Sequence, residues 1–201
     1  YYCTGMASII QQISTSCNTC IRLKTLPKEI REYSTSPSEC FGKYFSADIL
    51  IEKGQHILIC REKLSQFTLT KIILDETADT LEAALVTLIA DLVPENGAVV
   101  QVDAATGFQA LAGGKGKLLC KFNIQLDIGR VNNKQKNPIA ENAIKELRKE
   151  WLRLKPKGES LSEIDLVTIT SIINNRVRLN GLAPKEVMLK RSIHDHKEIP
   201  V

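Results

Sequence analysis

No apolar run in the sequence approaches the roughly 20 residues that a membrane-spanning helix needs, and no charged-then-apolar leader precedes a small-residue cleavage site. Both patterns argue against membrane insertion and secretion. Cysteine is sparse. The six residues at Cys3, Cys17, Cys20, Cys40, Cys60 and Cys120 are too irregularly placed for a disulfide scaffold and fit a reducing compartment. Only Cys17 and Cys20 have the spacing of metal ligands. Histidine is scarcer still: His56, His194 and His196 are the only three, and none precedes Cys17. Internal repeats and low-complexity tracts are absent. There is no initiator methionine ahead of Tyr1-Tyr2-Cys3, which predicts a fragment or a processed product. What remains is a chain of 201 residues, 43% hydrophobic and 25% charged, enough for one full domain with a core to bury plus part of another.

The formal net charge of +4 is unevenly spread. From Gly129 to Gly158, nine basic residues face only Glu141, Glu146 and Glu150, so this stretch carries +6 and the remainder is slightly acidic. Taken alone, such a run reads as a solvated helix face laced with ion pairs.

Residues 1–26 are polar, with a short helical pattern of Met6, Ile9, Ile10 and Ile13 ending at Cys17-Asn18-Thr19-Cys20. Residues 27–44 read as a linker rich in Pro, Ser, Glu and Lys. The main domain starts near Tyr44. Phe45, Ala47, Ile49 and Ile51 alternate with Ser46, Asp48 and Leu50, which predicts a strand with Asp48 on the face opposite the aliphatic row. Two further strands are predicted over His56–Arg61 and Phe67–Leu74, completing an antiparallel meander with turns at Gly54 and Ser65-Gln66. Leu81, Ala84, Leu85, Leu88, Ile89 and Leu92 mark one face of a helix closed by Pro94 and Gly97. Ala98 to Val102 reads as a strand covered on both sides, ending at Asp103, where α/β sheets tend to keep their sites.

After Gly113, Gly114 and Gly116, a short strand is predicted around Asn123–Leu126. Asn137-Pro138 then leads into a helix from about Ile139 to Leu154. Its apolar stripe is Ile144, Leu147, Trp151 and Leu154, while Glu141, Lys145, Arg148 and Lys149 line another face. Ion pairing with Glu146 or Glu150 is the plain alternative for these cations. A last helix is predicted to begin at Ser160, where Ser160-Leu161-Ser162-Glu163 has the form of a capping box, and to run to about Leu179.

Asp48, Asp103 and Glu141 lie on the first strand, at the end of the fourth and on a late helix. They can converge only if those two strands are sheet neighbours, which a right-handed crossover through the helix at Leu81–Leu92 allows. Three carboxylates in one cleft repel and take up protons unless hard cations neutralise them, and all-oxygen ligation suits Mg²⁺ or Mn²⁺. Two such ions can activate an attacking hydroxyl and stabilise a leaving oxygen at phosphorus. The substrate implied is a phosphodiester.

In these respects the sequence resembles the catalytic core of retroviral and gypsy-type retrotransposon integrases. Tyr1-Tyr2-Cys3-Thr4-Gly5-Met6 and Ser16-Cys17-Asn18-Thr19-Cys20 resemble the end of that family's zinc-binding amino-terminal domain. Phe45-Ser46-Ala47-Asp48 looks like the strand bearing the first catalytic Asp, and Val102-Asp103-Ala104-Ala105-Thr106-Gly107-Phe108 like the second Asp with its loop. Asn137-Pro138-Ile139-Ala140-Glu141 looks like the Asn-Pro loop and the helix with the catalytic Glu. Asn175-Arg176 and Gly181-Leu182-Ala183-Pro184-Lys185-Glu186 resemble the final core helix and the segment after it. The separations, 54 residues between Asp48 and Asp103 and 37 between Asp103 and Glu141, are close to those of the family.

The resemblance implies an RNase H-like α/β fold, a mixed five-stranded sheet flanked by helices, over residues 45–193, with 1–26 a truncated zinc-domain remnant and 194–201 a tail. It also implies DNA integration: 3′-end processing followed by strand transfer, with no covalent protein intermediate. Asp48, Asp103 and Glu141 would then be catalytic and bind two Mg²⁺ or Mn²⁺ ions, while Lys145, Arg148 and Lys149 would hold the phosphate backbone. The partners implied are double-stranded DNA and further copies of the chain, in the nucleus and also the cytoplasm. Cys17 and Cys20 are half a zinc site, because four ligands are the norm and no upstream His pair is present. The Gly113–Gly116 stretch falls where the family has a helix and reads either as a loop or as an early sign of degeneration. His194 and His196 read as solvated tail residues. Two further readings are a degenerate or co-opted copy acting only as a DNA- or protein-binding module, and a nuclease on the same fold, against which the Asn-Pro before the Glu helix argues.

Overall fold

The computed structural model describes residues 6–17, 40–129, 137–178 and 181–199. The first helix, α1, spans Met6–Ser16. Its apolar row, Met6, Ile9, Ile10 and Ile13, is exposed.

The meander forms as its alternation predicts. Strand β1 (Tyr44–Glu52) pairs antiparallel with β2 (Gln55–Glu62), and β2 pairs antiparallel with β3 (Thr68–Ile73). Lys53 and Gly54 join the first two strands with φ of 53° and 73°. A two-residue turn with both φ positive matches the twist of the flanking strands, and Gly supplies one of those positions without strain.

Helix α2 (Ala78–Ile89) continues as a 3₁₀ turn, Ala90–Leu92, and returns the chain to β4 (Ala98–Val102). Strand β4 lies parallel to β1, with Ala47 opposite Val102 in the last paired row. Strand β5 (Ile124–Ile128) adds parallel to β4, giving the order β3-β2-β1-β4-β5. Ala98, Val100 and Val102 are buried while Val99 and Gln101 are half-buried, so β4 is covered more fully on one face than its apolar run predicts.

The glycine stretch is neither an open loop nor a straight helix. Helix α3 (Thr106–Ala110) passes into a wide turn, Leu111–Lys115, that breaks at Gly114 (φ 107°), and α4 (Lys117–Lys121) restarts beyond it. The restart is capped from a distance: the buried Glu82 carboxylate of α2 accepts from the backbone N–H of Leu118 (2.6 Å) and of Leu119 (3.1 Å). Two of the unpartnered amides at the start of α4 are thereby satisfied.

The other sheet face is covered by α5 (Pro138–Leu154) over β1 and β2 and by α6 (Glu163–Asn175) over β3. Ala143, Ile144, Leu147 and Trp151 of α5 join Leu50, Ile57, Ile59, Leu166, Ile169 and Ile173 in one core, while Phe45, Ala47, Leu58, Leu81, Leu85, Val100 and Val102 form the core on the α2 side. Leu154 does not belong to the stripe. It is exposed, because the chain leaves the helix at Lys155 and folds back so that the carbonyl of Glu159 accepts from the Trp151 indole N–H (2.9 Å).

Helix α6 starts later than predicted, and the cap is Ser162. Its hydroxyl accepts from the Asp165 N–H, and the Asp165 carboxylate accepts from the Ser162 N–H. The Gln55 amide of β2 holds both backbone groups of Leu161 at 2.7 and 2.8 Å, keeping that residue against the sheet and outside the helix. The helix stops at Asn175, ahead of an extended Arg176. Helix α7 (Pro184–Leu189) follows. Residues read as a tail turn back: Arg191 bridges Glu198, and Ile199 N–H donates to the Lys190 carbonyl (3.0 Å).

Candidate active site

The parallel pairing of β1 and β4 brings two of the predicted acids together. Asp48 and Asp103 each follow the last paired row, Ala47 opposite Val102, so they occupy equivalent positions on adjacent strands, whose spacing is about 4.8 Å. Beyond that row β1 continues to Glu52 while β4 has ended. The open end is a cavity of about 390 Å³ whose lining includes Asp48, Glu76, Asp103, Phe108 and Gln109.

Asp48 is partly buried, and one oxygen accepts from the N–H of Ile49 (2.8 Å). Burial pushes its carboxyl up to about 6; the backbone hydrogen bond opposes this, and the nearby charges of Asp103, Glu141 and Glu76 add to it. Asp103 has one carboxylate oxygen, Oδ1, buried with no hydrogen-bond partner. A buried anionic oxygen without a donor is costly unless a cation faces it.

The third acid is positioned through Asn137. Its side-chain amide, almost completely buried, donates to the carbonyls of Ala47 (3.0 Å) and Gln101 (3.3 Å), while its oxygen accepts from the Ala140 N–H (3.4 Å) as the N-cap of α5. One side chain therefore fastens the start of α5 to both strands, with Glu141 in the first turn. Glu141 lies within electrostatic reach of Asp48 but is half-exposed and bonded to Lys145 (3.6 Å). Among the described residues, no three His, Cys, Asp or Glu side chains are gathered closely enough to hold a metal ion.

One acid of the cavity, Glu76, is not legible in the sequence as a site residue. Glu76 stands in the connection from β3 to α2, with a carboxylate oxygen 3.7 Å from His56 Nε2. Gly107 brings that connection against α3: a Cβ there would lie 2.2 Å from the Glu76 carbonyl oxygen. Gly107 is the accessible signal, since glycine marks close backbone approach.

The predicted cations of α5 diverge. Lys145 pairs with Glu141, and Arg148 Nε donates to Glu52 (2.9 Å), not to Glu146 or Glu150. Those two acids are taken from elsewhere: Glu146 accepts from Arg61 and Arg178, and Glu150 from Arg153 and Arg176. Lys149 is half-buried on the adjoining side of the helix. Cys17 sits half-buried at the end of α1, and Cys20 lies outside the described residues.

Asp48 and Asp103 fit a hard divalent cation: both offer oxygen, one has a buried oxygen lacking a donor, and the other has its carboxyl raised chiefly by burial, with the neighbouring acids adding to the effect.

No family model matches the sequence, and no curated protein matches it. Among solved structures, the fold is similar to the catalytic core domain of BIV integrase, with a TM-score of 0.59 and 20% identity over 74% of this chain and 95% of that one. At that identity the likeness establishes the fold: a mixed five-stranded sheet flanked by helices, of the RNase H-like type found in a retroviral integrase core.

Proposed function

We propose that this domain is a divalent-cation-dependent polynucleotidyl transferase of the retroelement integrase type, acting on the ends of double-stranded DNA. The observation that carries the reading is the placement of Asp48 and Asp103 one step beyond the Ala47–Val102 pair, with the Asp103 Oδ1 buried and without a donor. Mg²⁺ or Mn²⁺ bound there would supply the positive charge that an in-line displacement at phosphorus requires. Asp48 and Asp103 would hold it, and Glu141 would complete the oxygen set after releasing Lys145. Asn137 keeps the three on one frame. Lys145, Arg148 and Lys149 hold the phosphate backbone by charge. In this reading the chain works as an oligomer in the nucleus and also the cytoplasm, and Cys17 with Cys20 is half of a zinc site that holds an ion only if upstream ligands join it.

The test is phosphodiester transfer on a branched DNA oligonucleotide that mimics an integration intermediate, with Mn²⁺ or Mg²⁺, comparing the chain with Asp103→Asn. Product that vanishes in the variant supports the reading. A second reading, a copy that binds DNA without chemistry, is favoured by the Glu141–Lys145 pair and by the absence of a three-carboxylate cluster among the described residues. Salt-sensitive DNA binding without product would select it.

A further inference from the structure

Asp48, Leu50 and Glu52 stand on one face of β1, four residues carrying the row about 13 Å. Glu141 and Arg148, seven residues apart on α5, face within about 20° of one another and are separated by about 10 Å. The two rows run side by side, since α5 packs across β1. Asp48 and Glu141 stand at one end, and the Arg148–Glu52 bond closes the other (2.9 Å).

Beyond that bond lies a second cavity, of about 220 Å³, whose lining includes Glu52, Lys53, Arg148, Trp151, Lys157 and Gly158. Three cations there face one carboxylate. Among the described residues, neither Lys53 nor Lys157 has an ion-pair partner, and Arg148 uses only Nε on Glu52. Lys53 is also seated: it stands in the tight β1–β2 turn, and its stem crosses Gly158, where a Cβ would lie 3.2 Å from Cε and 3.7 Å from Nζ. Small-molecule sites run to roughly 300–1,000 Å³. This smaller, net positive cavity suits a single ionic group.

The geometry points to a phosphate-binding pocket at Lys53, Arg148 and Lys157 that takes a backbone phosphate of a DNA strand whose reacting phosphodiester lies at Asp48 and Asp103. Its register rests on the proposed function; the pocket itself rests on its own charge and shape. At about 3.4 Å of rise per nucleotide along one strand, the 10–13 Å between the two ends spans three to four nucleotides. A fully solvated basic patch would have neither the concave wall nor the seated Lys53.

The pocket carries its own reporter, because Trp151 is the only tryptophan in the chain. Its emission is followed while the full chain is titrated with a branched DNA duplex and, separately, with inorganic phosphate. Binding of labelled DNA is measured in parallel over a salt series. Trp151 emission is expected to change saturably with DNA at low salt and to need far more inorganic phosphate. In Lys53→Ala/Lys157→Ala that response disappears, and the slope of log K against log salt becomes shallower by about 1, the loss of one neutralised phosphate. Glu52→Gln should make it steeper, a gain that a misfolded variant could not produce. DNA binding with an unchanged slope in the double variant overturns the pocket, as does a Trp151 response to inorganic phosphate alone. The two proposals separate cleanly. No transfer product with an intact Trp151 response to DNA overturns the transferase reading and keeps the pocket, whereas transfer with DNA bound and Trp151 silent does the reverse.

Discussion

The side-chain amide of Asn137 donates to the backbone carbonyl of Ala47 at 3.0 Å, tying the first turn of α5 to the strand residue that immediately precedes Asp48. The same amide reaches Gln101, two residues before Asp103, so the seating of α5, and of Glu141 in its first turn, against the two strands depends on this one buried group. Asn137→Ala is expected to cost about 2–4 kcal/mol, the sum of a lost N-cap and of two lost buried hydrogen bonds. Asn137→Asp keeps the cap acceptor but sets an anion against two carbonyls, so it should be no better. Urea unfolding of both variants checks this: stability near wild type for Asn137→Asp would mean that capping, and not the tether, is what matters.

Stability should fall as pH rises from about 4 to about 6 on account of Asp48. Its carboxyl titrates near 6 in the fold against about 3.9 in an unfolded chain. Between those values the folded state holds a proton that the unfolded state has released, so raising the pH favours unfolding until both states are ionised. Asp48→Asn is expected to remove this slope and to be more stable than wild type above pH 6. Denaturation curves across that range decide it.

A hard divalent cation should stabilise the fold through the same pair. Ligand that binds only the folded state raises the melting temperature by mass action, so Mn²⁺ is expected to shift Tm upward in the wild type and to leave Asp103→Asn unmoved. Equal shifts in both proteins would place the ion elsewhere.

The frame beneath α5 is ionic. Burial pushes Glu146 up, but its bonds to Arg178 (2.8 Å, twice) and to the fully buried Arg61 (2.9 Å) more than offset that and hold its carboxyl below the usual range. A depressed carboxyl contributes stability above its unfolded pKa, lost as pH falls through the folded value. Glu146→Gln should cost about 3–5 kcal/mol, since it leaves Arg61 buried without its counter-charge. Thermal melts at neutral pH would show the loss, with less acid sensitivity remaining in the variant.

Much of the frame is legible in the sequence because it is local. The period of two in β1 places Asp48 on the face opposite Phe45 and Ala47, although Leu50 on Asp48's own face is buried under α5 and Ile51 is exposed, and the face of Leu81, Ala84, Leu85 and Ile89 is found buried as its spacing requires. What escapes the sequence depends on distant partners. The sequence pattern caps the last helix at Ser160, whereas the cap is Ser162, because Gln55, more than a hundred residues away, holds Leu161 outside the helix. The helix restart after Gly116 relies on Glu82. Arg148 meets Glu52 across 96 positions, which no spacing within α5 reveals. Glu76 enters the cavity only because Gly107 lets two backbones meet.

The central claim is that Asp48 and Asp103 act together on a phosphodiester. The most direct measurement is Mn²⁺-dependent strand transfer on branched DNA by the wild type, Asp48→Asn and Asp103→Asn, with each variant shown to be folded by circular dichroism and to bind the DNA. Transfer by the wild type, and its loss in both variants with DNA binding retained, is the predicted result. Transfer that persists in either variant would contradict the account.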